Sequence, residues 1–393
     1  MENLSKKFSN YLLVSSLGSN VIGSIFVLFL SSIKGFNVKE ISLILGTTPL
    51  IVLPIFFAWE SILDKYKSVI KLSKFVNISN IITMMMLIIT NNFMIFFVVN
   101  LIRTILLQPS GTLNDKYTLN ISKINKGSYG NIRVRSTIGY GLAGIISPIA
   151  IKLGGVYLAI LVGIVLIGLS IFIITKIPDI TEDNTENETI KRDEKSLITS
   201  IGTLIKNKNY IKYLIIISII WGTQNAASGY GIQIMLIDLK VPNSIIGLIP
   251  FIMVIFEVIF LLIYEKIKLF KKSDIALLIS LIILAFRWTT MIFTKSYILI
   301  LLITMLHGIV TGVVLQIQNK IVGDIVPSHQ HFLAFILLNS LSATILPSIL
   351  NLLTGSLYYK FGITIFGTVY LSLALIAIII LISKLINKKS YIK

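Results

Sequence analysis

Long apolar stretches separated by short polar connections dominate the sequence. Six of them lie in the first part of the chain, at about 11–31, 41–63, 69–90, 94–113, 132–151 and 155–175. Six more follow, at about 211–233, 243–264, 273–293, 297–318, 332–353 and 361–385. A helix needs about 20 apolar residues to cross a bilayer, whereas barrel strands are shorter and alternate in polarity. The pattern therefore predicts an all-α polytopic membrane protein with twelve transmembrane helices.

One long polar stretch interrupts this pattern between the sixth and seventh apolar stretches. Residues 176–210 carry charges of both signs and show no apolar face. A segment of this composition is expected to lie in water as a linker. We therefore expect two six-helix halves, residues 1–175 and 211–393, joined by this linker. Two related helical halves are typical of secondary transporters.

Composition excludes a soluble globular protein. The 393 residues are 55% hydrophobic and 13% charged, and the mean hydropathy is +0.90. Such a chain has too few polar residues to cover a soluble surface. It contains no cysteine, which excludes disulfides and cysteine metal sites.

The net charge of +18 would suggest nucleic-acid binding in a soluble protein. Here, however, most of the 35 lysine and arginine residues lie in alternate connections between the apolar stretches. Positive charge of this kind marks the cytoplasmic side of a membrane protein. We expect a multi-pass protein of the plasma (inner) membrane with both termini and the linker in the cytoplasm. Its partners are then the lipid bilayer, protons and a small-molecule substrate, with no nucleic acid, and a monomer is expected.

Four apolar stretches each contain one isolated titratable side chain: Arg103, Glu257, Arg287 and His307. A charge near the bilayer centre costs about 2.5–3.5 kcal/mol on insertion scales, so it normally faces protein or a watery cavity. At a rise of about 1.5 Å per residue, His307 and Arg103 lie near the midplane. The same counting puts Glu257 nearer the cytoplasmic side and Arg287 nearer the outside. We expect all four side chains to mark the transport pathway.

Glu257 and His307 are the candidate proton carriers. Apolar surroundings favour the neutral form of a carboxyl group, and imidazole exchanges its proton near neutral pH. Two alternatives remain open: Glu257 forms a structural ion pair with Arg287, or His307 is a buried histidine hydrogen-bonded to a backbone or a neighbouring side chain.

The candidate substrate site includes the two arginines. Arg103 and Arg287 keep their charge at physiological pH, and either binds a carboxylate, a phosphate or a sugar hydroxyl, or neutralises Glu257. Uncharged polar or aromatic side chains at similar depth complete the candidate set: Asn20, Gln224, Asn225 and Trp288. Hydrogen bonding between helices is the commoner role of such amides in membranes, and ordinary packing is the alternative for Trp288.

Several motifs occur in a characteristic order. WESILDKYKS ends the second apolar stretch, RTILLQPSGTLNDKYTL runs through the end of the fourth, and YGNIRVRSTIGYGLAG opens the fifth. The eighth, ninth and tenth stretches carry specific polar residues: Glu257, the pair Arg287–Trp288 and the pair His307–Gly308. With the six-plus-six arrangement, these features resemble the major facilitator superfamily. The branch they resemble contains phenylpropionate permeases and nucleoside/oligosaccharide–proton symporters, and the resemblance covers nearly the whole chain.

The resemblance also implies a charge gate at the cytoplasmic ends of the spans, formed by Asp64, Lys65, Asp115 and Arg133. The alternative is that these four charges only set the membrane topology. The sequence departs from the superfamily pattern at two positions. Glu60 replaces a glycine that allows close helix approach, and Leu333 replaces an arginine that is common after the tenth span.

The expected function is proton-coupled import of a small polar solute, such as a nucleoside, a sugar or an aromatic acid, by alternating access. Neutralisation of Glu257 or His307 would permit the inward turn. The alternatives are a proton-antiport exporter of drugs or metabolites and a non-transporting membrane sensor. The sequence shows no phosphate loop and no catalytic triad pattern, so we expect neither an enzyme nor a cofactor. His329 and His331 stand two apart without a further ligand, which is a poor arrangement for a metal.

Overall fold

A computed structural model of the protein describes residues 2–65, 68–125, 129–179, 202–263, 266–327 and 330–390. All regular secondary structure within these residues is helical. Nine of the described helices are long and apolar enough to cross a membrane, and a bent pair in the first span, Leu4–Ser24 with Phe26–Ile33, makes ten. The bend of 42° in this pair lies at Ile25.

The first half contains seven helices: α1 (Glu2–Ser24), α2 (Phe26–Leu28), α3 (Val38–Lys65), α4 (Val69–Ile89), α5 (Phe93–Leu107), α6 (Ser110–Asn125) and α7 (Tyr129–Thr175). Helix α7 has 47 residues, and at about 1.5 Å per residue it would be far longer than a bilayer is thick. Gly154 and Gly155 have non-helical backbone angles, with φ of 73° at Gly155, and divide α7 into two spans. Glycine tolerates this positive φ, which other residues rarely adopt.

The second half contains ten further helices: α8 (Lys208–Ala226), α9 (Ile232–Asp238), α10 (Asn243–Ile246), α11 (Ile249–Ile263), α12 (Ser273–Phe293), α13 (Tyr297–Thr304), α14 (Leu306–Ile325), α15 (His331–Asn339), α16 (Leu346–Phe361) and α17 (Thr364–Ser390). Two π-helical segments continue the seventh and eleventh spans, Ala227–Gly231 after α8 and Ser340–Ile345 after α15. The seventh span is not among the ten spans counted above, and it contains polar residues such as Gln224 and Asn225. Counting this span and the two arms of α7 gives the twelve spans that the sequence predicts.

The chain divides into two compact units. One comprises Met1–Thr185 with Lys240–Phe251, and the other comprises Glu186–Leu239 with Ile252–Lys393. Within the first unit, α1 and α7 touch at glycines. A Cβ atom placed on Gly139 of α7 would lie 2.5 Å from the carbonyl oxygen of Leu13 in α1, and one on Gly18 would lie 2.9 Å from that of Gly163. Small residues permit this close backbone approach in membrane helices.

The ends of the predicted linker are packed against the units. Ile177 is buried in an apolar cluster of the first unit, and the Asp179 carboxylate accepts hydrogen bonds from Ser68 Oγ and, at 3.3 Å, from the Ile70 amide. In the second unit, Leu204 is buried beside Val326 and Ala334. The structure thus differs from the expected linker without an apolar face, because Ile177 and Leu204 bury apolar area. Residues 180–201 lie outside the described residues.

Candidate functional site

Arg287 is the centre of a polar group within the second unit. Its side chain on α12 is fully buried, with 0% of its surface exposed. Arg287 Nη1 lies 3.4 Å from Gln224 Oε1 on α8, and Gln224 Nε2 lies 3.5 Å from Thr311 Oγ1 on α14. Polar side chains from three spans therefore meet here: the predicted residues Arg287 and Gln224, and the neighbouring Thr311. Thr311 was not predicted, although its place one helical turn after His307 is a signal that could have identified it.

Arg287 has no carboxylate within 4.0 Å among the residues that the structure describes, where the ion pairs are Asp115–Arg133 and Asp274–Lys384. Its Nε and Nη2 atoms are buried and form no hydrogen bond to any described residue. The guanidinium carbon lies 4.5 Å from the centre of the Trp288 ring, within the range of a cation–π interaction. The structural ion pair between Glu257 and Arg287, left open from the sequence, is not formed here.

Trp288 lies in the contact between α12 and α17. It is fully buried, and its ring centre is 5.1 Å from that of Tyr370 in an edge-on arrangement. A Cβ atom on Gly367 of α17 would lie 2.8 Å from the Trp288 carbonyl oxygen, so the two helices touch at this level. In this environment Trp288 packs between two helices, which was the alternative to a role in substrate binding.

His307 and Glu257 lie on helices that touch. A Cβ atom on Gly308 of α14 would lie 2.5 Å from the Met253 carbonyl oxygen on α11 and still closer to the Glu257 amide nitrogen. The tenth span is interrupted at Met305, where the Gly308 amide donates to the Met305 carbonyl at 3.1 Å, a spacing of three residues. The Nδ1 atom of His307 is buried and has no hydrogen-bond partner among the described residues.

The carboxyl group of Glu257 has no ion-pair or hydrogen-bond partner among the described residues. Within the described ranges it takes part in neither of the two ion pairs and accepts no hydrogen bond. Glu257 is half-buried and follows Met253 on the buried face of α11, whereas Ile255 and Val258 are exposed. Residue counting placed Glu257 and His307 at different depths, but the Gly308 contact brings their backbones to the same level.

Asn225 connects two spans that both contain π-helical turns. Its Nδ2 atom donates to the Ser342 carbonyl oxygen at 3.3 Å, and Ser342 lies in the segment Ser340–Ile345. A π-helical turn changes the spacing of backbone hydrogen bonds and often occurs at functional sites. Asn225 was predicted to bind the substrate, with a hydrogen bond between helices as the alternative. In this structure it forms such a hydrogen bond.

The first unit contains a second arginine within a span, the partly buried Arg103 on α5. Its Nε and Nη2 atoms donate to Asn80 Oδ1 at 3.1 and 3.0 Å, and its guanidinium carbon lies 5.8 Å from the Phe26 ring centre. Asn80 was not predicted as a site residue. It could have been recognised as an amide side chain inside the third apolar stretch. Asn20, by contrast, donates within its own helix, to the Ser16 carbonyl at 2.7 Å and to Ser16 Oγ at 3.1 Å.

Two of the four predicted gate residues form an ion pair. Arg133 Nε lies 3.2 Å from Asp115 Oδ1, and both side chains are 41% exposed. The Tyr129 hydroxyl donates to the same oxygen at 3.0 Å. Burial and the hydrogen bond to Asp115 raise the pKa of Tyr129. Asp64 and Lys65 end α3, and their side chains lie outside the described part of the structure.

A second charged group, which the sequence did not reveal, lies at the ends of three spans in the second unit. Lys384 Nζ on α17 lies 3.0 Å from Asp274 Oδ1 on α12, and these side chains are only 14% and 17% exposed. Tyr213 on α8 donates to the same oxygen at 2.5 Å and also contacts Lys384 Nζ. Since 110 residues separate Asp274 from Lys384, no local pattern indicates their contact.

No group of three or more His, Asp or Glu residues could hold a metal ion in the described ranges. His331 Nε2 lies 2.7 Å from the Val326 carbonyl oxygen, so this ring nitrogen is already hydrogen-bonded to the backbone. His329 lies outside the described residues.

The comparison with protein families decides the family. The sequence matches the MFS_1 like family over residues 11–366. The chain belongs to this family. This match confirms the predicted membership of the major facilitator superfamily. No curated protein sequence matches the chain.

Solved structures share the fold of this MFS_1 like protein. A mutant of the nucleoside transporter NupG has a TM-score of 0.80 and 15% identity, covering 97% of this chain and 98% of that one. A mutant of the peptide transporter POT in complex with alafosfalin has a TM-score of 0.71 and 11% identity, over 96% and 93%. A bacterial homolog of the human lysosomal transporter Spinster has a TM-score of 0.67 and 10% identity, over 97% and 94%. These matches confirm an all-α, multi-pass membrane protein with the major facilitator fold.

Proposed function

We propose that the protein is a proton-coupled symporter that imports a small polar solute by alternating access. The observation that carries this proposal is the carboxyl group of Glu257 inside a membrane span, which has no partner in the described part of the chain. Its helix touches Gly308 beside His307. An acid held in a structural ion pair would stay ionised. Glu257 is instead free to bind and release a proton.

Protonation of Glu257 changes the cost of moving its span. A charge at the centre of the membrane costs about 2.5–3.5 kcal/mol on insertion scales, and a bound proton removes this charge. The transporter with protonated Glu257 can then change between its outward-facing and inward-facing states more readily than the transporter with ionised Glu257. His307 is a second proton acceptor next to this contact, and its buried Nδ1 atom has no partner among the described residues.

Arg287 and Gln224 of the second unit supply the proposed solute contacts. Arg103 with Asn80 is a separate candidate within the first unit. The fold that the protein shares with NupG supports this role, because that protein is a nucleoside transporter. The Asp115–Arg133 pair is the proposed element of a cytoplasmic gate. The protein then resides in the plasma membrane, with both termini and the linker in the cytoplasm.

The external pH of a lightly buffered, de-energised cell suspension tests the proposal. Nucleosides, sugars and aromatic acids are added in turn to cells that express the protein. At least one solute should make the medium alkaline with the unaltered protein, and Glu257→Gln should abolish this response. Glu40→Gln is the matched control. Glu40 accepts from the Asn37 amide at 2.9 Å at the start of α3, and glutamine can preserve this capping box.

Three outcomes would contradict the proposal. Acidification on solute addition indicates antiport instead of symport. An unchanged response in Glu257→Gln places the coupling group elsewhere. Silence across the panel, with the protein confirmed in the membrane, favours an exporter or a non-transporting sensor.

A further inference from the structure

The isolated charges inside the membrane spans do not balance. Arg103 and Arg287 are positive, and Glu257 is the single acid among these isolated groups. Neither arginine has a carboxylate within 4.0 Å among the described residues. When Glu257 binds a proton, as the proposed function requires, the isolated groups of the second unit keep only the positive charge of Arg287. A negative charge from outside the protein would restore the balance.

Arg287 has the greater need for such a charge. Arg103 directs both Nε and Nη2 to the Asn80 oxygen, at 3.1 and 3.0 Å. Arg287 has one acceptor, Gln224 Oε1, at 3.4 Å from Nη1, which is longer than a normal hydrogen bond of this type. Its side chain is fully buried. A guanidinium stays protonated even in such surroundings, and a buried charge without a partner is strongly unfavourable.

The geometry of the free atoms selects the ligand. The two unpartnered nitrogens of Arg287 are Nε and Nη2, which form one edge of the planar guanidinium group. Their two N–H bonds are nearly parallel and match the two oxygens of a carboxylate. The third nitrogen, Nη1, is the one that faces Gln224. The free edge is therefore the one suited to a two-pronged contact.

We propose that the solute carries a carboxylate group, which binds to the Nε and Nη2 edge of Arg287. This inference rests on the proposed transport function and narrows its substrate class from polar solutes to organic acids. Because Arg287 is fully buried in this structure, the solute reaches it only when the surrounding helices move. Bound carboxylate supplies the counter-charge that Arg287 lacks among the described residues.

Binding to the purified full-length protein in detergent tests the inference. Ligand-induced shifts in thermal unfolding report the dissociation constants at constant pH and ionic strength. Each probe is a carboxylate with its uncharged amide: benzoate with benzamide, nicotinate with nicotinamide, and N-acetylglycine with its amide. We expect at least one carboxylate to bind about tenfold or more tightly than its amide, as a charge-assisted hydrogen bond would give. Arg287→Gln should reduce this preference to within about threefold.

Matched variants separate the possible causes. Arg135→Gln removes an exposed arginine from α7 and should keep the preference for carboxylates. Arg287→Lys should keep only part of it, because an ammonium group lacks the flat two-donor edge. Glu257→Gln should keep or strengthen the preference for carboxylates, because glutamine mimics the protonated acid. Loss of the preference in Glu257→Gln would overturn the inference.

A measurement without any ligand gives an independent test. If Arg287 has no internal counter-charge, Arg287→Met should leave the thermal midpoint of the unliganded protein unchanged or raise it, because removal of the unpaired buried charge offsets the lost contacts with Gln224 and Trp288. A clear fall in this midpoint would reveal an internal counter-charge and overturn the inference.

The failure of this inference is distinguishable from that of the transport proposal. An uncharged solute that enters with protons, with no carboxylate preferred over its amide, overturns the inference alone. Preference for inorganic phosphate over every carboxylate does the same. Arg287-dependent carboxylate binding without proton uptake supports the inference and contradicts proton coupling.

Discussion

Gly308 holds its helix directly against the backbone of Glu257. A Cβ atom on Gly308 would lie 2.5 Å from the Met253 carbonyl oxygen and closer still to the Glu257 amide nitrogen, so a larger residue does not fit without movement. His307 precedes Gly308 in the chain. The contact therefore brings the two candidate proton carriers onto touching helices, and it is the most direct physical reason for a His-Gly pair in this span.

We expect Gly308→Ala to destabilise the protein. The added methyl group would overlap backbone atoms, and overpacking of this kind typically costs about 1–3 kcal/mol. Thermal unfolding of the purified protein in detergent measures the change. Gly323→Ala on the same helix is the control, because a Cβ atom there would meet nothing within 4 Å. Equal thermal midpoints for the two variants would show that the helices do not touch at Gly308.

The two ion pairs should differ in strength. Asp274–Lys384 is much less exposed than Asp115–Arg133, at 14% and 17% against 41% for each partner. Exposed pairs contribute about 0.2–1 kcal/mol and are screened by salt. We expect a coupling above that range for Asp274→Asn with Lys384→Met. Asp115→Asn with Arg133→Met should fall within it.

Double-mutant cycles of thermal unfolding at low and high salt measure both couplings. The Asp115–Arg133 coupling should shrink at high salt, since water and ions surround it. A larger coupling for the exposed pair would contradict this ranking, and would favour a structural role for the proposed gate.

Asn225→Ala should weaken the contact between the seventh and eleventh spans. It removes the hydrogen bond to the Ser342 carbonyl oxygen, and such bonds between membrane helices average about 0.6 kcal/mol. A small fall in the thermal midpoint is therefore expected. Asn209→Ala, at an exposed position on α8, should leave it unchanged.

Solute affinity provides the second readout for Asn225. If its amide serves only the helix contact, Asn225→Ala should change the affinity of the identified solute by less than about threefold. A tenfold loss of affinity at an unchanged thermal midpoint would instead assign Asn225 to the solute site.

Asp179→Ala should loosen the start of α4. The carboxylate accepts from Ser68 Oγ and from the Ile70 amide at 3.3 Å, and the loss of a helix cap costs about 1 kcal/mol. Hydrogen exchange should therefore become faster for the backbone amides of the first turn of α4. Asp179→Asn keeps an acceptor oxygen and should show a smaller effect. Equal exchange in both variants and the unaltered protein would exclude a capping role.

Several features of the site were predictable because they depend on local pattern. Arg103, Arg287 and His307 are isolated in apolar stretches, and the structure buries each of them wholly or in part. Asp115 and Arg133, which the family resemblance indicated, do pair. The partners of Arg103 and Arg287 were not predictable, because Asn80 and Gln224 come from other spans. The packed linker ends were missed for a similar reason, since Ile177 and Leu204 are single apolar residues in polar surroundings.

The sequence by itself determined the number of membrane spans, their approximate limits and the family. The spans and their limits follow from the length and polarity of each segment, because a bilayer excludes unpaired backbone groups and charges, whereas the family is indicated by the resemblance of the motifs. Tertiary structure alone decided that Arg287 faces Gln224 instead of Glu257, and that Gly308 places His307 beside Glu257. Such contacts depend on how helices rotate, tilt and cross. The sequence of a uniformly apolar span does not determine its rotation, tilt or crossing, because an apolar face packs equally well against lipid and against a neighbouring helix.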